Sequence, residues 1–412
     1  MEISKHNKFK IINDPVHGFI KIPYEIIYDL LENPYFQRLR RIKQLGLTYL
    51  VYPGAIHSRF QHALGAMHLT VSALELLKIK GFEVSEDETK AVCVAILLHD
   101  IGHGPFSHAL EHSIVDNLNH EDISLLFMNK LAEKYGKDIH LAIQIFNNTY
   151  PKKFLHQLVS SQLDMDRLDY LKRDSFFTGV SEGVISSDRI INMLNIANDE
   201  LVVEIKGIYS IEKFIIARRL MYWQVYLHKT VISAEKILIK ILQRAKFLAS
   251  NNIELFATPA FRFFLYNNIT NKDFNTKIEV LNLLAQLDDY DIFTSIKTWV
   301  NHEDKILSYL CNALINRELF KIELQNIPFK DEYVDIIKNK IKKSLQLNDE
   351  EVEYVVIKDI AVNNAYNPLN NKINILLKDG SVTDIAETSD QLNIAVLTES
   401  VTKYFLCYPK HL

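Results

Sequence analysis

The sequence predicts a mainly α-helical protein, with an all-helical body, an N-terminal β-hairpin and a small C-terminal α/β appendage. Glycine and proline are scarce, at 12 and 10 of 412 residues, which favours long helices over a many-turned β architecture. Apolar residues recur at three- and four-residue spacing from about residue 24 to about residue 247, as in amphipathic helices. Near the C-terminus the pattern changes to short β-like runs.

The N-terminal segment, residues 9–22 (FKIINDPVHGFIKI), carries two β-rich runs around a turn. Asn13, Asp14, Pro15 and Gly18 supply that turn, so the segment is predicted to be a hairpin. The helical pattern that follows includes YEIIYDLLENPYFQRLRRIKQL and IEKFIIARRLMYWQVYLHK, and it returns over residues 280–345 with more surface charge.

In the tail, VEYVVIK and INILLKDGSVTDIA are β-like, and Asp379–Gly380 is a strong signal for a tight hairpin. A chain of this length holds one large domain and a smaller one, at roughly 100–200 residues per domain. We therefore expect one domain at 1–270, with its helical core at about 24–247. The region 271–412 is expected to pack on that domain.

Charge and cysteine usage narrow the function classes. The net charge of -4 gives no support to nucleic-acid binding, since proteins that bind duplex phosphates are usually basic. Cys93, Cys311 and Cys407 lie far apart, which argues against a disulfide framework and a zinc–thiolate site. The polar start and the lack of an apolar run of about 18–20 residues predict a cytoplasmic protein without membrane segments.

The most informative stretch is residues 91–112, AVCVAILLHDIGHGPFSHALEH. Its apolar run predicts a buried helix that ends at His99–Asp100, where Gly102, Gly104 and Pro105 break the helix. A buried imidazole and carboxylate need a partner, and a divalent metal is one. A satisfied structural His–Asp pair is the alternative.

Two further stretches could complete such a site. His62 lies in the helical segment SRFQHALGAMHL, where a packed histidine is the alternative to a ligand. In QLDMDRLDYLKRD, Asp166, Tyr170 and Asp174 recur at i, i+4 and i+8 and share one helix face. That face either lines a polar pocket or is exposed to solvent.

Several other polar residues follow or precede these stretches. If a helix resumes after Pro105, His108 and Glu111 share one face and form an acid–base unit suited to neutral pH.

The basic run Arg38, Arg40, Arg41 and Lys43 is by itself typical of a solvated face. No glycine-rich phosphate loop of the GxxxxGK[ST] or GxGxxG type occurs.

The ordered set H…HD…D resembles the HD-domain metal phosphohydrolases. The closer match is to the deoxynucleoside triphosphate (dNTP) triphosphohydrolases, which include bacterial dGTPase-like enzymes and the animal enzyme that joins a SAM domain to an HD domain. Five blocks carry the resemblance: KIINDPVHG (10–18), PYFQRLRRIKQLG (34–46), YPGAIHSRFQHALG (52–65), LLHDIGHGPFSH (97–108) and LDMDRLDYLKRD (163–174). They fall within the first 230 residues.

The resemblance implies roles residue by residue. It makes His62, His99, Asp100 and Asp166 the ligands of a divalent metal, which could be Mn, Fe, Mg, Zn, Co or Ni. It places His103, His108, Glu111 and His120 around the reacting phosphate. It assigns substrate contacts to Gln44, Arg59, Arg167, Tyr170, Asp174, Arg218 and Tyr226. Arg167 stands where the animal enzyme has Lys, and Leu227 stands where it has Gln, which leaves base and sugar preference open.

The resemblance also implies regulation and assembly. Lys10, Asn13, Gln37 and Arg40 match the site where the animal enzyme binds a guanine nucleotide activator, and Glu32 replaces its Asp. The family forms symmetric oligomers, so a homodimer or homotetramer is expected. The implied reaction is hydrolysis of a dNTP to deoxynucleoside and tripolyphosphate. Two alternatives remain: an HD phosphohydrolase of monophosphates, cyclic nucleotides or another phosphoester, and a non-catalytic nucleotide sensor.

Overall fold

The computed structural model describes residues 10–106, 119–363, 366, 372–389 and 400–410. Within these residues most of the chain is helical, as predicted. The helices are α1 Glu25–Leu31, α2 Pro34–Gln37, α3 Arg59–Ile79, α4 Glu86–Leu98, α5 His120–Tyr135, α6 Lys137–Phe146, α7 Lys153–Val159, α8 Met165–Thr178, α9 Ser187–Asn192, α10 Ile208–Met221, α11 Lys229–Ser250, α12 Pro259–Tyr266, α13 Asn271–Thr276, α14 Ile278–Leu284, α15 Asp289–Trp299, α16 Lys305–Ile315, α17 Asp331–Leu345, α18 Asp349–Val352 and α19 Ile385–Thr388. The strands are β1 Ile11–Asp14, β2 Gly18–Lys21, β3 Leu194–Ala197, β4 Glu200–Glu204, β5 Lys321–Gln325, β6 Ile357–Asn363, β7 Asn374–Leu376, β8 Val382–Asp384 and β9 Val401–Tyr408.

The predicted N-terminal hairpin is confirmed. Strands β1 and β2 pair antiparallel, with Asp14 opposite Gly18. Gly18 has a φ of +72°, a left-handed conformation that glycine adopts without strain. The Asp14 carboxylate accepts hydrogen bonds from the backbone N–H groups of Val16 and His17, which closes the turn locally.

The centre of the body is a group of three helices, in which α3 packs against α4 and α8. Helix α4 begins at Ser85, which forms a capping box with Glu88. Every residue from Ala91 to Leu98 is 0% exposed, because α3 covers one side of α4 and α6 another. The sequence prediction of a buried helix that ends at His99–Asp100 is therefore confirmed.

Two segments that the periodicity assigned to helices contain strands. Strands β3 and β4 form a hairpin inside the body, and its two turn residues, Asn198 and Asp199, both have positive φ. Strand β5 lies within residues 280–345. Strands β4 and β5 are short, and each also pairs with a strand from a distant part of the chain, β4 with β7 and β5 with β9. Local periodicity does not reveal such pairing.

The C-terminal region contributes to two sheets. One has the order β3-β4-β7-β8 and includes a parallel pair, β4 with β7. The predicted hairpin at Asp379–Gly380 is confirmed, since it joins β7 and β8. The other sheet has the order β5-β9-β6. In VEYVVIK the strand begins only at Ile357, because the preceding residues 349–352 form α18.

The three cysteines are buried and free, with no disulfide between them. Across the described ranges, no helix combines the length and apolar character needed to cross a bilayer.

Candidate metal centre and substrate pocket

Three helices bring the candidate metal ligands together. His62 lies in the first turn of α3, which begins after Ser58 with a capping box to Gln61. His99 is the C-cap residue of α4, where the buried apolar run ends. Asp166 lies in the first turn of α8, whose N-cap Asp164 accepts a hydrogen bond from the Arg167 N–H. The site therefore forms where two helices begin and a third ends.

The ligand atoms lie within a few ångströms of one another. His62 Nε2 is 3.0 Å from Asp166 Oδ1, and His99 Nε2 is 3.5 Å from the same oxygen. Asp100 is adjacent, with Oδ1 3.4 Å from His99 Nε2 and Oδ2 3.9 Å from His62 Nε2. His62, His99 and Asp166 together can hold one metal ion. Asp100 faces them, but its Oδ2 accepts a hydrogen bond from Arg59.

The donor atoms fit a divalent cation. His62 Nε2 and His99 Nε2 are buried, and neither has a hydrogen-bond partner among the described residues. The other nitrogen of each ring is engaged: His99 Nδ1 donates to the Ile96 carbonyl and His62 Nδ1 to Asp169. This fixes the tautomer whose Nε2 lone pair faces the Asp166 carboxylate. Two imidazoles and carboxylates are ligands suited to Fe, Mn, Co, Ni or Zn.

The electrostatics of the site keep its carboxylates ionised. Burial alone would raise the pKa of Asp166, but the adjacent imidazoles of His62 and His99 hold it well below its usual range. Burial would lower the pKa of His62, yet the neighbouring carboxylates of Asp166 and Asp169 raise that pKa to about 10. Negative charge from Asp166 and Asp169 therefore surrounds the His62 ring.

Beside the metal ligands lies a second group, Asp100, His103 and His120. His103 Nδ1 is 3.2 Å from Asp100 Oδ1, and the rings of His103 and His120 stack with centroids 3.9 Å apart. Burial and the nearby charge of Arg59 lower the pKa of His103 to about 3, so His103 is neutral at physiological pH. The other predicted acid–base residues, His108 and Glu111, lie outside the described residues.

The absence of a side chain at Gly102 allows the loop that carries His103 to pack closely against His120. A Cβ on Gly102 would lie 2.2 Å from the His120 carbonyl oxygen and 2.4 Å from the Ser124 nitrogen. The Ser124 hydroxyl accepts from the Gly102 N–H and donates to the His99 carbonyl. The loop after α4 therefore packs directly on the first turn of α5.

The stripe on α8 is not a solvated face, because Asp166 and Tyr170 are half-buried and Asp174 is buried. Asp174 is 1% exposed, and its two carboxylate oxygens accept from different groups. His57 Nε2 lies 2.7 Å from Oδ1, and the Tyr226 hydroxyl donates to Oδ2 across 2.8 Å. The rings of Tyr170 and Tyr226 meet edge to face, with centroids 6.1 Å apart.

The predicted substrate cations each contact a neighbouring polar side chain. Arg59, at the start of α3, contacts Asp100. Arg167 pairs with Asp164, and Arg218 on α10 donates to the Gln162 side chain across 2.9 Å. The charges of Arg218 and Arg167 act on the pKa of Tyr170, although burial dominates and raises that pKa. Gln44 lies in the loop before α3, with its buried Oε1 unpaired among the described residues.

Of the five residues predicted for activator binding, three line a separate cavity of about 460 Å³ beside the hairpin. Lys10, Glu32 and Arg40 line it. The Lys10 ammonium lies 2.9 Å from the centroid of Tyr28, and Arg40 donates to the Gln37 side chain. Asn13 pairs with Phe19 in the hairpin and is not one of the lining residues.

Sequence reasoning missed four buried residues around the site. They are Arg38, His17, His57 and Asp169, each with at most 2% of its side chain exposed. The sequence offered one indication that Asp169 has a structural partner, its i, i+4 spacing to Arg173 on α8. There was no such indication for Arg38, His17 or His57, because their partners are distant in the chain or are backbone carbonyl groups.

Comparisons with known proteins agree with this geometry. Residues 59–174 match the HD domain, and residues 185–255 match the HD associated region. A crystal structure of a phosphohydrolase from Bacteroides thetaiotaomicron superposes with a TM-score of 0.95 at 53% identity, over 98% of this chain and 100% of that chain.

Two curated relatives extend the comparison. The uncharacterised protein YwfO of Bacillus subtilis is 37% identical over 329 residues, which cover 77% of this chain and 72% of YwfO. The deoxynucleoside triphosphate triphosphohydrolase SAMHD1 homolog of Dictyostelium discoideum is 35% identical over 57% of this chain. That match spans about half of the Dictyostelium protein, 49% of its length.

Proposed function

We propose that this chain, which belongs to the HD-domain phosphohydrolase family, hydrolyses dNTPs to deoxynucleoside and tripolyphosphate with the help of a divalent metal. The observation that carries the proposal is the buried cluster of His62, His99 and Asp166, whose two Nε2 atoms face one carboxylate without hydrogen bonds among the described residues. Asp100 lies close enough to join them when its contact with Arg59 is exchanged. The names of the SAMHD1 relatives support the choice of substrate class.

In the proposed reaction, water attacks the α-phosphorus and the bond from that phosphorus to the 5′ oxygen of the sugar breaks. A metal at the cluster would lower the pKa of the attacking water and offset phosphate charge. His108, oriented by Glu111, would donate the proton that the departing 5′ oxygen takes up. His103 and His120, whose rings stack on each other, would lie beside the reacting phosphate, with His103 neutral at physiological pH.

Residues on and around α8 would supply the charges and hydrogen bonds that a triphosphate and a sugar require. Arg59, Arg167 and Arg218 supply three cations around the buried face of α8. Guanidinium groups suit phosphate oxygens because of their planar, forked donors. Asp174 and Tyr170 would bind the sugar, with Gln44 at the pocket's edge.

The test combines metal loading with product analysis. The protein is loaded in parallel with Mn²⁺, Fe²⁺, Co²⁺, Ni²⁺, Zn²⁺ and Mg²⁺ and incubated with each dNTP, and products are separated by anion exchange. Wild type is expected to release deoxynucleoside and tripolyphosphate, and Asp166→Ala to release neither. Asp188→Ala, an exposed carboxylate on α9, is the matched control and should retain activity. Absence of turnover for every dNTP with every metal would refute the proposal.

A substrate panel separates the alternative enzyme functions. Monophosphates, cyclic nucleotides and a generic phosphodiester are assayed with the same metals. Turnover of one of these in place of dNTPs would leave the metal site in use but change the substrate class. Nucleotide binding without turnover of any compound would identify a sensor. Light scattering on the same samples tests the proposed dimer or tetramer.

A guanine nucleotide activator site is a second candidate function, favoured by the cavity at the hairpin. Lys10 and Arg40 bring positive charge to it, and Glu32 offers a carboxylate for the guanine edge. We expect GTP or dGTP to raise dNTP turnover, and Arg40→Ala to abolish that rise. Arg317→Ala is the control, since Arg317 donates only to the Leu50 carbonyl among the described contacts. Equal stimulation of wild type and Arg40→Ala would exclude the cavity as the activator site.

A further inference from the structure

We propose that His17, in the turn of the N-terminal hairpin, is a positioning residue for the metal ligand His62 and acts on it through Asp169. The inference rests on the proposed metal site. It adds to that site a contact from residues far outside the stretch that matches the HD domain, 59–174.

The first link joins Asp169 to His62. Asp169 Oδ2 accepts a hydrogen bond from His62 Nδ1 across 2.8 Å, and both side chains are 0% exposed. The bond leaves Nε2 as the nitrogen with a free lone pair and fixes the plane of the ring. A carboxylate in this position both orients a ligating imidazole and makes it a stronger donor.

The second link joins His17 to the other oxygen of the same carboxylate. His17 Nε2 lies 2.6 Å from Asp169 Oδ1, and the His17 side chain is 2% exposed. His17 has this position because Asp14 closes the hairpin turn by accepting from its backbone N–H across 2.9 Å. The hairpin therefore presents an imidazole to Asp169 from a locally ordered turn.

Arg173 completes the network and anchors the hairpin to α8. Its Nε and Nη2 donate to Asp169, and its Nη1 donates to Asp14 Oδ2 across 2.8 Å. The side chains of Asp169 and Arg173 pack against α3 at Gly65, one helical turn beyond His62. A Cβ at Gly65 would lie 1.9 Å from Asp169 Oδ1 and 2.3 Å from Arg173 Nη2. Glycine is required there because the buried carboxylate occupies the space of a side chain.

These contacts predict what the loss of His17 would do. Without the imidazole, Asp169 Oδ1 would retain only the Arg173 donor among the described contacts, and the carboxylate could turn away from His62. Loss of such a supporting partner lowers metal affinity by roughly 10- to 100-fold in other metal sites. At saturating metal, however, all ligands of the ion remain present. The effect should therefore fall on metal affinity far more than on turnover.

The experiment compares His17→Leu with His17→Gln in the full chain. The glutamine amide can donate to Asp169 at a reach similar to that of Nε2, whereas leucine cannot. His68→Leu is the matched control, because its ring packs on His17 with centroids 5.4 Å apart but makes no hydrogen bond to Asp169 among the described contacts. Mn²⁺ dissociation constants are measured by titration against a chelator, and metal-dependent thermal shifts by scanning fluorimetry.

We expect His17→Leu to weaken Mn²⁺ binding by at least about tenfold. His17→Gln and His68→Leu should stay within about threefold of wild type, and kcat of His17→Leu at saturating Mn²⁺ should change much less than its affinity. Equal Mn²⁺ affinity in wild type and a folded His17→Leu would overturn the inference while the proposed function stands. Failure of wild type to bind any of the six metals would overturn both.

Gly65→Ala provides a second route if His17→Leu does not fold. The added methyl group displaces the Asp169 carboxylate while His17 and the metal ligands remain in the chain. We expect the same pattern, a weaker Mn²⁺ affinity with a smaller change in kcat at saturation. Unchanged affinity in Gly65→Ala would contradict the role assigned to Asp169.

Discussion

Arg38 donates a hydrogen bond from Nη2 to the backbone carbonyl oxygen of His103, across 2.9 Å. The same nitrogen donates to the Ile101 carbonyl across 2.7 Å, and the side chain is 0% exposed. Burial lowers the pKa of Arg38 to about 9, which leaves the guanidinium charged at neutral pH. The basic run interpreted as a solvated face thus includes a buried cation that holds the loop of the candidate site.

Replacement of Arg38 should affect both stability and activity. Arg38→Met leaves buried carbonyl groups without donors, and we expect it to reduce the free energy of unfolding by about 2–4 kcal/mol. Turnover should fall as well, since the loop that carries His103 loses its support. Urea unfolding and dNTP turnover measure the two effects. Arg41→Met is the control; its side chain is 47% exposed, and its ion pair should contribute less than about 1 kcal/mol.

Glu88 should make stability depend on acid pH. Burial alone would raise its pKa, but hydrogen bonds from Lys152, the Ser85 N–H and Tyr150 lower that pKa below its ordinary value of 4.5. Because the folded-state pKa is the lower one, the stabilisation is present above pH 4.5 and is lost as pH falls through the folded-state value.

Glu88→Gln removes the titrating group while it keeps the side-chain shape. We expect it to lower stability at pH 7 by roughly 1.5–3 kcal/mol, the range for hydrogen bonds to a charged group. Its stability should then change less than that of wild type between pH 6 and pH 3. Urea unfolding across this range is the measurement. Glu86→Gln, an exposed residue of the same helix turn, should follow wild type.

Gly102→Ala should move α5 away from the loop after α4. The new methyl group meets the His120 carbonyl at 2.2 Å, and that atom belongs to backbone that cannot rotate aside. We expect a loss of about 1–3 kcal/mol in unfolding free energy and a lower kcat, because His120 is displaced from His103. Gly81→Ala is the control for kcat: its positive φ of +92° makes alanine strained there, but nothing lies within 4 Å of the added methyl, so kcat should be unchanged. Equal kcat in the two variants would contradict the close packing at Gly102.

Tyr226→Phe should weaken substrate binding with little effect on the chemical step. Burial and the neighbouring Asp174 raise the pKa of Tyr226 well above its ordinary value, so the hydroxyl stays protonated and donates to Asp174. Loss of that donor frees one oxygen of the proposed sugar-binding carboxylate. We expect KM for the dNTP to rise about five- to tenfold, equivalent to roughly one hydrogen bond. A fall in kcat with KM unchanged would assign Tyr226 to the reaction itself.

The sequence allowed a good prediction of the elements that local pattern determines. The hairpin turn, the buried helix before His99 and the tight turn at Gly380 each depend on neighbouring residues, and each is present. The proposed metal ligands could be selected because they lie in short blocks with recognisable spacing. The structure places three of them together and Asp100 beside them.

Contacts between distant residues could not be predicted in this way. His17 and Asp169 are 152 positions apart, and nothing near His17 indicates that it will be buried. Arg38 binds backbone carbonyl groups, which carry no residue-specific signal. The pairing of β4 with β7 and of β5 with β9 was missed for a similar reason, because the partner strands lie far along the chain.

The parallel pairing of β4 with β7 has a consequence for synthesis of the chain. Val203 of β4 lies opposite Ile375, and about 170 residues separate the two strands. At roughly 5–20 residues per second, a ribosome takes roughly 10–35 seconds to make the missing partner. During that interval one edge of β4 has no strand to bind, although β3 covers the other. The nascent protein therefore carries an open sheet edge until β7 emerges.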